Sequence, residues 1–253
     1  MNDSTVVVVD ERGVRTTIPR DQVVSVTAFT GRFNNADPNY ARLFISPNGR
    51  TLGRGQGRLS SYYIFLPSIA YGVTDRIDVS AAASIPFFES NRPYGVLAAT
   101  VKAGVVQSER TNVAVGATFG LPYGEGAGGA FAGTFYGLAT FGTSESAVTV
   151  GAYGGYAGDA FEDEFDGDNF QVGDGAAFLL GYERQLSESL KFMTENYLAV
   201  PFTGDGVGTA HLVGLRFFGQ QLSADLAVVG FTGDGEIQTI PVPYLSFAYT
   251  LGR

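Results

Sequence analysis

Thr111-Asn112-Val113-Ala114-Val115-Gly116-Ala117-Thr118-Phe119-Gly120-Leu121 decides the fold class. Val113, Val115, Ala117, Phe119 and Leu121 share one face of an extended chain. Asn112, Ala114, Gly116, Thr118 and Gly120 make a small or polar face opposite. A period of two is that of a β-strand with one apolar side. The pattern returns in Ile77, Val79, Ala81, Ala83, Ile85 and Phe87, with Asp78, Ser80 and Ser84 opposite. Leu245, Phe247, Tyr249 and Leu251 repeat it against Tyr244, Ser246 and Thr250. An apolar strand face points either into a soluble core or out into lipid, and the period does not separate the two.

The connections do. Eleven segments carry the pattern, at 59–73, 76–87, 97–108, 111–121, 129–142, 145–158, 173–186, 189–202, 207–219, 222–231 and 239–251. Residues 41–46 are read as a further, first strand, which makes an even twelve. Short links at 74–76, 108–111, 143–144, 187–188 and 219–221 alternate with longer ones at 88–96, 122–128, 159–172 and 232–238. The link at 203–206 is a tight exception. Such alternation is the mark of a membrane barrel, with short turns on one side and long loops on the other. Phe202-Thr203-Gly204-Asp205-Gly206 recurs as Phe231-Thr232-Gly233-Asp234-Gly235, and Asp-Gly suits tight hairpins.

Composition agrees. The 253 residues include 35 Gly, and only 16% are charged, which is low for a soluble surface. No stretch approaches the roughly 18 apolar residues of a membrane helix. The net charge of −9 argues against nucleic acid, which needs a basic stripe. The absence of cysteine excludes disulfides, thiolate metal sites and cysteine nucleophiles. The expected fold is therefore all-β: an antiparallel transmembrane β-barrel of about 12 strands, spanning residues 41–253. A soluble secreted β-protein is the rival.

Residues 1–40 are read as an N-terminal β-hairpin or arm on the periplasmic side. Thr5-Val6-Val7-Val8-Val9, a turn at Asp10-Glu11-Arg12-Gly13 and Val14 to Ile18 form the hairpin, with 21–26 a candidate third strand. Met1-Asn2-Asp3-Ser4 lacks the charged and apolar regions of an export signal, so the expectation is that one has been removed.

Pro38-Asn39-Tyr40-Ala41-Arg42-Leu43-Phe44, Ser46-Pro47-Asn48-Gly49-Arg50-Thr51-Leu52, Gly53-Arg54-Gly55-Gln56-Gly57 and Tyr71-Gly72-Val73-Thr74-Asp75-Arg76-Ile77-Asp78-Val79 carry a resemblance. With these elements the chain resembles an uncharacterised class of outer-membrane β-barrel proteins common in Bacteroidetes. The resemblance implies a barrel in the outer membrane of a Gram-negative bacterium and transfers no catalytic residue. One departure is the end Leu251-Gly252-Arg253, where barrels often carry a terminal aromatic.

With the apolar faces turned to lipid, the lumen receives Asp78, Lys102, Glu183, Lys191, Glu195, Arg216 and Asp225. Charges in a narrow lumen need partners, so both signs together point to a structural network. Gly104, Gly116 and Gly214 also point inward and leave room for water or a plug. The expected interface aromatics are Tyr62, Tyr63, Tyr71, Phe87, Phe88, Tyr123, Phe141, Phe202, Phe217, Phe218 and Phe231. The one histidine, His211, shares the lipid-facing side with Val213, Leu215 and Phe217 and has no Ser two residues away. It is read as a headgroup-zone residue, not a base, and no enzyme is expected. The acidic stretch 159–174 offers Asp163, Asp166 and Asp168 as a weak Ca²⁺ candidate, without EF-hand spacing. No cofactor is expected. Expected partners are outer-membrane lipids, lipopolysaccharide, the barrel-assembly machinery and a possible small solute.

Three function classes remain: a passive channel or transporter for small solutes or apolar molecules, a structural or interaction barrel with a plugged lumen, and a lipid-modifying enzyme. A lumen obstructed by residues 1–58 would favour the second.

Overall fold

A computed structural model describes residues 5–9, 15–22, 35–89, 92–124, 131–157, 175–202, 207–232 and 242–252. The chain divides into two compact units, Met1–Asn34 and Asn35–Arg253. In the first, β1 (Thr5–Val9) pairs antiparallel with β2 (Arg15–Pro19). A 3-10 turn, Arg20–Gln22, follows β2 where a third strand was expected. The rest of that expected strand and the turn at 10–13 lie outside the described residues.

The second unit runs β3 (Gly57–Tyr62), β4 (Leu66–Gly72), β5 (Ile77–Ala83), β6 (Phe87–Glu89), β7 (Arg92–Gln107), β8 (Thr111–Gly124), β9 (Ala132–Gly142) and β10 (Ser146–Ala157). It continues with β11 (Gly175–Ser187), β12 (Leu190–Pro201), β13 (Gly208–Phe218), β14 (Leu222–Thr232) and β15 (Val242–Leu251). All neighbours are antiparallel. Strand β5 pairs β7, with β6 a short side strand on the start of β7. The last strand returns to the first, from Ser246 opposite Tyr62 to Leu251 opposite Gly57. Twelve strands thus close a ring, which leaves no open edge to be satisfied in lipid.

The outer surface supplies the reason for the ring. Phe135 (61% exposed), Phe202 (63%), Leu222 (55%), Leu226 (53%), Val101 (54%) and their outward neighbours cover it with apolar side chains. The inner face holds buried Asp, Glu, Lys, Arg, Ser and Thr. A soluble barrel would reverse this; only lipid stabilises it.

The strand count comes out at twelve by a different division of the chain. Residues 59–73, expected as one strand, are the hairpin β3–β4. Its turn at 63–65 contains no Gly, Pro, Asn or Asp, and Tyr63 and Ile64 adopt φ of 50° and 69°. Left-handed backbone at a β-branched residue is rare, so the sequence carries no turn signal there. Residues 41–46, expected as the first strand, pair with no barrel strand. Only an isolated bridge, Arg42 to Pro47, is formed.

That segment belongs to a hairpin inside the barrel. Residues 35–56 enter from the short-turn end, reverse near Ile45 and return to β3. The reversal is held by Leu43 N–H donating to Ser46 O (2.9 Å) and Asn48 N–H donating to Ala41 O (3.3 Å). Asp37, Asn39, Ala41, Arg42, Leu43, Phe44, Asn48 and Leu52 are at most 2% exposed. Glycine makes room for the hairpin on the wall. A methyl group at Gly181 would overlap Leu43, and one at the hairpin's own Gly49 would overlap the Asn112 carbonyl.

Candidate functional site

The candidate site is the barrel interior, where the hairpin meets two unlike walls. The first wall is β11–β15, and it grips the hairpin through charge. Arg216 and Asp225 are opposite each other in register, with Nε to Oδ1 at 2.6 Å and Nη2 to Oδ2 at 3.1 Å. Arg216 also donates to the backbone carbonyls of Asn39, Arg42 and Leu43 at 2.9, 3.0 and 2.7 Å. A planar guanidinium can serve several acceptors at once, which suits it to this junction. Arg42 reaches back to Asp225 (3.2 Å) and Ser246 (3.0 Å).

Asp37 sits between Lys191 (2.8 Å) and Arg216 (3.1 Å). Burial alone would raise its pKa. The charges of Lys191 and Arg216, with hydrogen bonds from Lys191 and the Asn39 N–H, outweigh burial and hold the carboxyl well below its usual range. Lys191 also meets Glu183 (3.3 Å), which binds Arg50 of the returning arm.

The hairpin tip is caught by one carboxylate. Glu195 accepts from the N–H groups of Phe44 (2.6 Å), Ile45 (2.9 Å) and Ser46 (2.8 Å), and from the Tyr197 hydroxyl. Tyr153 donates to Ser46 Oγ (2.9 Å), and Tyr244 donates to Phe44 O (2.7 Å).

The second wall is β3–β5 with β7–β9. It ties only the hairpin's base: Lys102 Nζ donates to Arg50 O (2.6 Å) and pairs with Asp78 (3.2 Å). The Leu52 N–H donates to Asp78, and the Gly49 N–H to Thr140 (2.9 Å). Above these ties the wall stands off. A cavity of about 260 Å³ separates it from the tip, floored by Arg42, Arg58, Asp78 and Lys102 and walled by Ser68, Ser80, Thr100 and Thr118 together with apolar Ile45, Leu66 and Ala82.

All seven charges assigned to the lumen from sequence are buried on the inner face, and each bonds another of them or the hairpin. The assignment lacked the hairpin's own Asp37, Arg42 and Arg50, and Arg58 at the base of β3. The available signal was a charged and Asn-rich stretch, 34–50, in a chain otherwise poor in charge. Of the inward glycines, Gly116 leaves room for the Tyr136 ring and Gly104 for Thr51 of the hairpin.

Two of the expected interface aromatics turn inward. Tyr62 lies under the Arg42 guanidinium (4.6 Å) and Phe218 is buried, because both sit on the inner register of their strands. Tyr71, Phe141, Phe202, Phe217 and Phe231 are exposed. The side chains of Phe87 and Phe88, the Asp163, Asp166 and Asp168 loop, and the repeats at 203–206 and 233–235 lie outside the described residues. His211 faces outward and bonds Asn196 Oδ1 and Thr209 Oγ1, each at 3.0 Å.

A twelve-stranded barrel with an apolar exterior and a charged, filled interior defines the class: an outer-membrane β-barrel protein. No family model and no curated protein matches the chain. Among solved structures it is similar to the KdgM porin, with a TM-score of 0.50 and 8% identity over 78% of this chain and 98% of that one. The KdgM porin in complex with disordered oligogalacturonate matches equally. The crystal structure of Pseudomonas aeruginosa OccK10 gives a TM-score of 0.41 and 13% identity over 74% of this chain and 59% of that one. At such identity the likeness to KdgM is one of fold.

Proposed function

We propose that the protein is a non-enzymatic channel for small polar solutes in the outer membrane of a Gram-negative bacterium, restricted by its own 35–56 hairpin. The observation that carries this reading is the standing-off of one wall: a cavity of about 260 Å³, lined by apolar side chains such as Ile45, Leu66 and Ala82 and by Ser and Thr hydroxyls over a charged floor, lies between the hairpin tip and β3–β5 with β7–β9. A barrel built only as a support would have no use for open space beside a strapped plug. The N-terminal hairpin, β1–β2, belongs on the periplasmic side in this reading, and the Bacteroidetes-type resemblance fits it.

The gate is the Glu195 carboxylate, which alone collects three N–H groups of the tip. In planar bilayers the native protein is expected to conduct in small, intermittent steps. Glu195→Ala, which removes the acceptor of three tip N–H groups and leaves the ion pairs at the base, is expected to increase conductance or open time several-fold. Silence from both proteins, with folding shown by heat-modifiable gel mobility, would favour the second reading: a plugged structural or interaction barrel, supported by the depth of the hairpin's burial.

A further inference from the structure

The charges of the interior do not cancel. Among the described residues, Arg42, Arg50, Arg58, Lys102, Lys191 and Arg216 face it, against Asp37, Asp78, Glu183, Glu195 and Asp225. Glu195 is taken up by backbone N–H groups and Tyr197, so four carboxylates remain to pair with six cations. Five of the six find one. Arg58 does not: it donates from Nη1 to the neutral Asn39 Oδ1, at 3.0 Å.

Most of the unused hydrogen-bond donors among the described residues gather near the same place. Arg42 Nε and Nη1, Arg58 Nε and Asn39 Nδ2 are buried without a partner. Both arginines belong to the floor of the cavity, and Arg42 is 1% exposed. Leaving a guanidinium unpaired and its N–H groups unmet inside a protein is costly, so such a site favours an anion that can neutralise it. Guanidinium groups match the planar, two-oxygen geometry of a carboxylate. Higher up, Ser68, Ser80, Thr100 and Thr118 offer hydroxyls, while Tyr62 and Tyr136 offer ring faces and edges. Asp78 on the same floor disfavours a second negative charge close by.

We infer that the cavity is a binding site for a small hydroxylated monocarboxylate, with its carboxylate on Arg42 and Arg58 and its hydroxyls toward the Ser and Thr wall. This gives the channel reading a solute class and rests on it for its physiological use, but the binding itself does not require conduction.

Titration calorimetry of the full chain, folded in detergent, tests it with gluconate as the probe and glucose as the uncharged control. Gluconate is expected to bind with a Kd of about 1 mM or tighter, and glucose at least ten-fold more weakly. Arg58→Gln, which removes an unpaired charge, is expected to fold and to weaken gluconate at least ten-fold. Ala82→Leu fills the cavity from β5 without altering charge and is expected to weaken it comparably. Absence of gluconate binding, equal binding of glucose, or unchanged affinity in both variants would overturn the site and leave its donors to water. Because the readout is heat and not current, a silent bilayer would count against the channel and not against this site.

Discussion

The two walls of the lumen have the same fold and opposite chemistry. On β11–β15 nearly every inward polar group is spent on the hairpin or on a partner that holds it: Glu183, Lys191, Glu195, Arg216, Asp225 and Ser246. On β3–β5 and β7–β9 the charged pair Asp78–Lys102 anchors the base, and above it Ser60 meets Ser68 and Thr100 meets Thr118, wall to wall. One wall is organised around a ligand made of its own chain. The other is organised around space. Obstruction and open space thus fall on separate sides of one barrel, so a buried hairpin does not by itself make the lumen inert.

If the gripping wall works through paired charge, cutting its central arginine should produce the largest effect. Arg216→Met leaves Asp225 and Asp37 short of a partner and strips three carbonyls of the hairpin of their donor. Loss of one member of a buried ion pair typically costs about 3–5 kcal/mol. A fall of that order is expected in the unfolding free energy of the detergent-folded barrel, read from urea titrations followed by gel mobility. A matching loss from Thr100→Val on the other wall would erase the contrast.

The same wall should carry an acid-sensitive component. The Asp37 carboxyl is held below its usual range, so its contribution is complete above the unfolded value of about 4 and is lost as pH falls from there toward the lowered one. Stability from this group is therefore flat between pH 7 and 5 and declines below about 4. Asp37→Asn is expected to lower stability at pH 7 and to flatten the decline between pH 4 and 2, measured as urea midpoints at each pH.

Shape is the next test. Gly181 on β11 is open only because Leu43 occupies the place of a side chain. Gly181→Val should push the hairpin from the gripping wall at a cost of about 1–3 kcal/mol, typical of overpacking. If the hairpin is the gate, the same variant should conduct more than the native protein. Lower stability with unchanged conductance would separate the hairpin's structural contribution from gating.

The contrast between the walls was only half legible in the sequence. Strand periodicity exposed the inner and outer faces because lipid demands an uninterrupted apolar exterior; Arg216 and Asp225 fell inside by register alone. The hairpin was not legible. Ala41-Arg42-Leu43-Phe44-Ile45 has the look of a short strand, and its apolar members are buried by the barrel wall and not by lipid. Local pattern reports that a side chain leaves water, not what it leaves water for. Likewise the Tyr63-Ile64 turn runs against turn preference and is supported from a distance, by Tyr63 N–H donating to Leu245 O (2.8 Å) and its ring edge on Tyr244 (5.1 Å). Arg58 is not legible in the sequence because its significance lies in what it lacks, and a missing partner is visible only in three dimensions.

The smallest expected effect on stability is the sharpest test of the open wall. Thr100 and Thr118 face the cavity and share one hydrogen bond, at 2.9 Å. Replacing both with Val removes donor and acceptor together and nearly preserves shape. Such paired replacement is close to neutral, within about 0.5 kcal/mol, because no buried polar group is left unmet. The double variant should therefore unfold at almost the native urea concentration. If this wall serves a hydrated solute, however, two methyl groups in place of two hydroxyls remove part of its polar lining, and both gluconate affinity and single-channel conductance should fall. Native stability with native binding and conductance would mean that these hydroxyls merely satisfy each other, and the functional half of the comparison would then contract to the arginine floor.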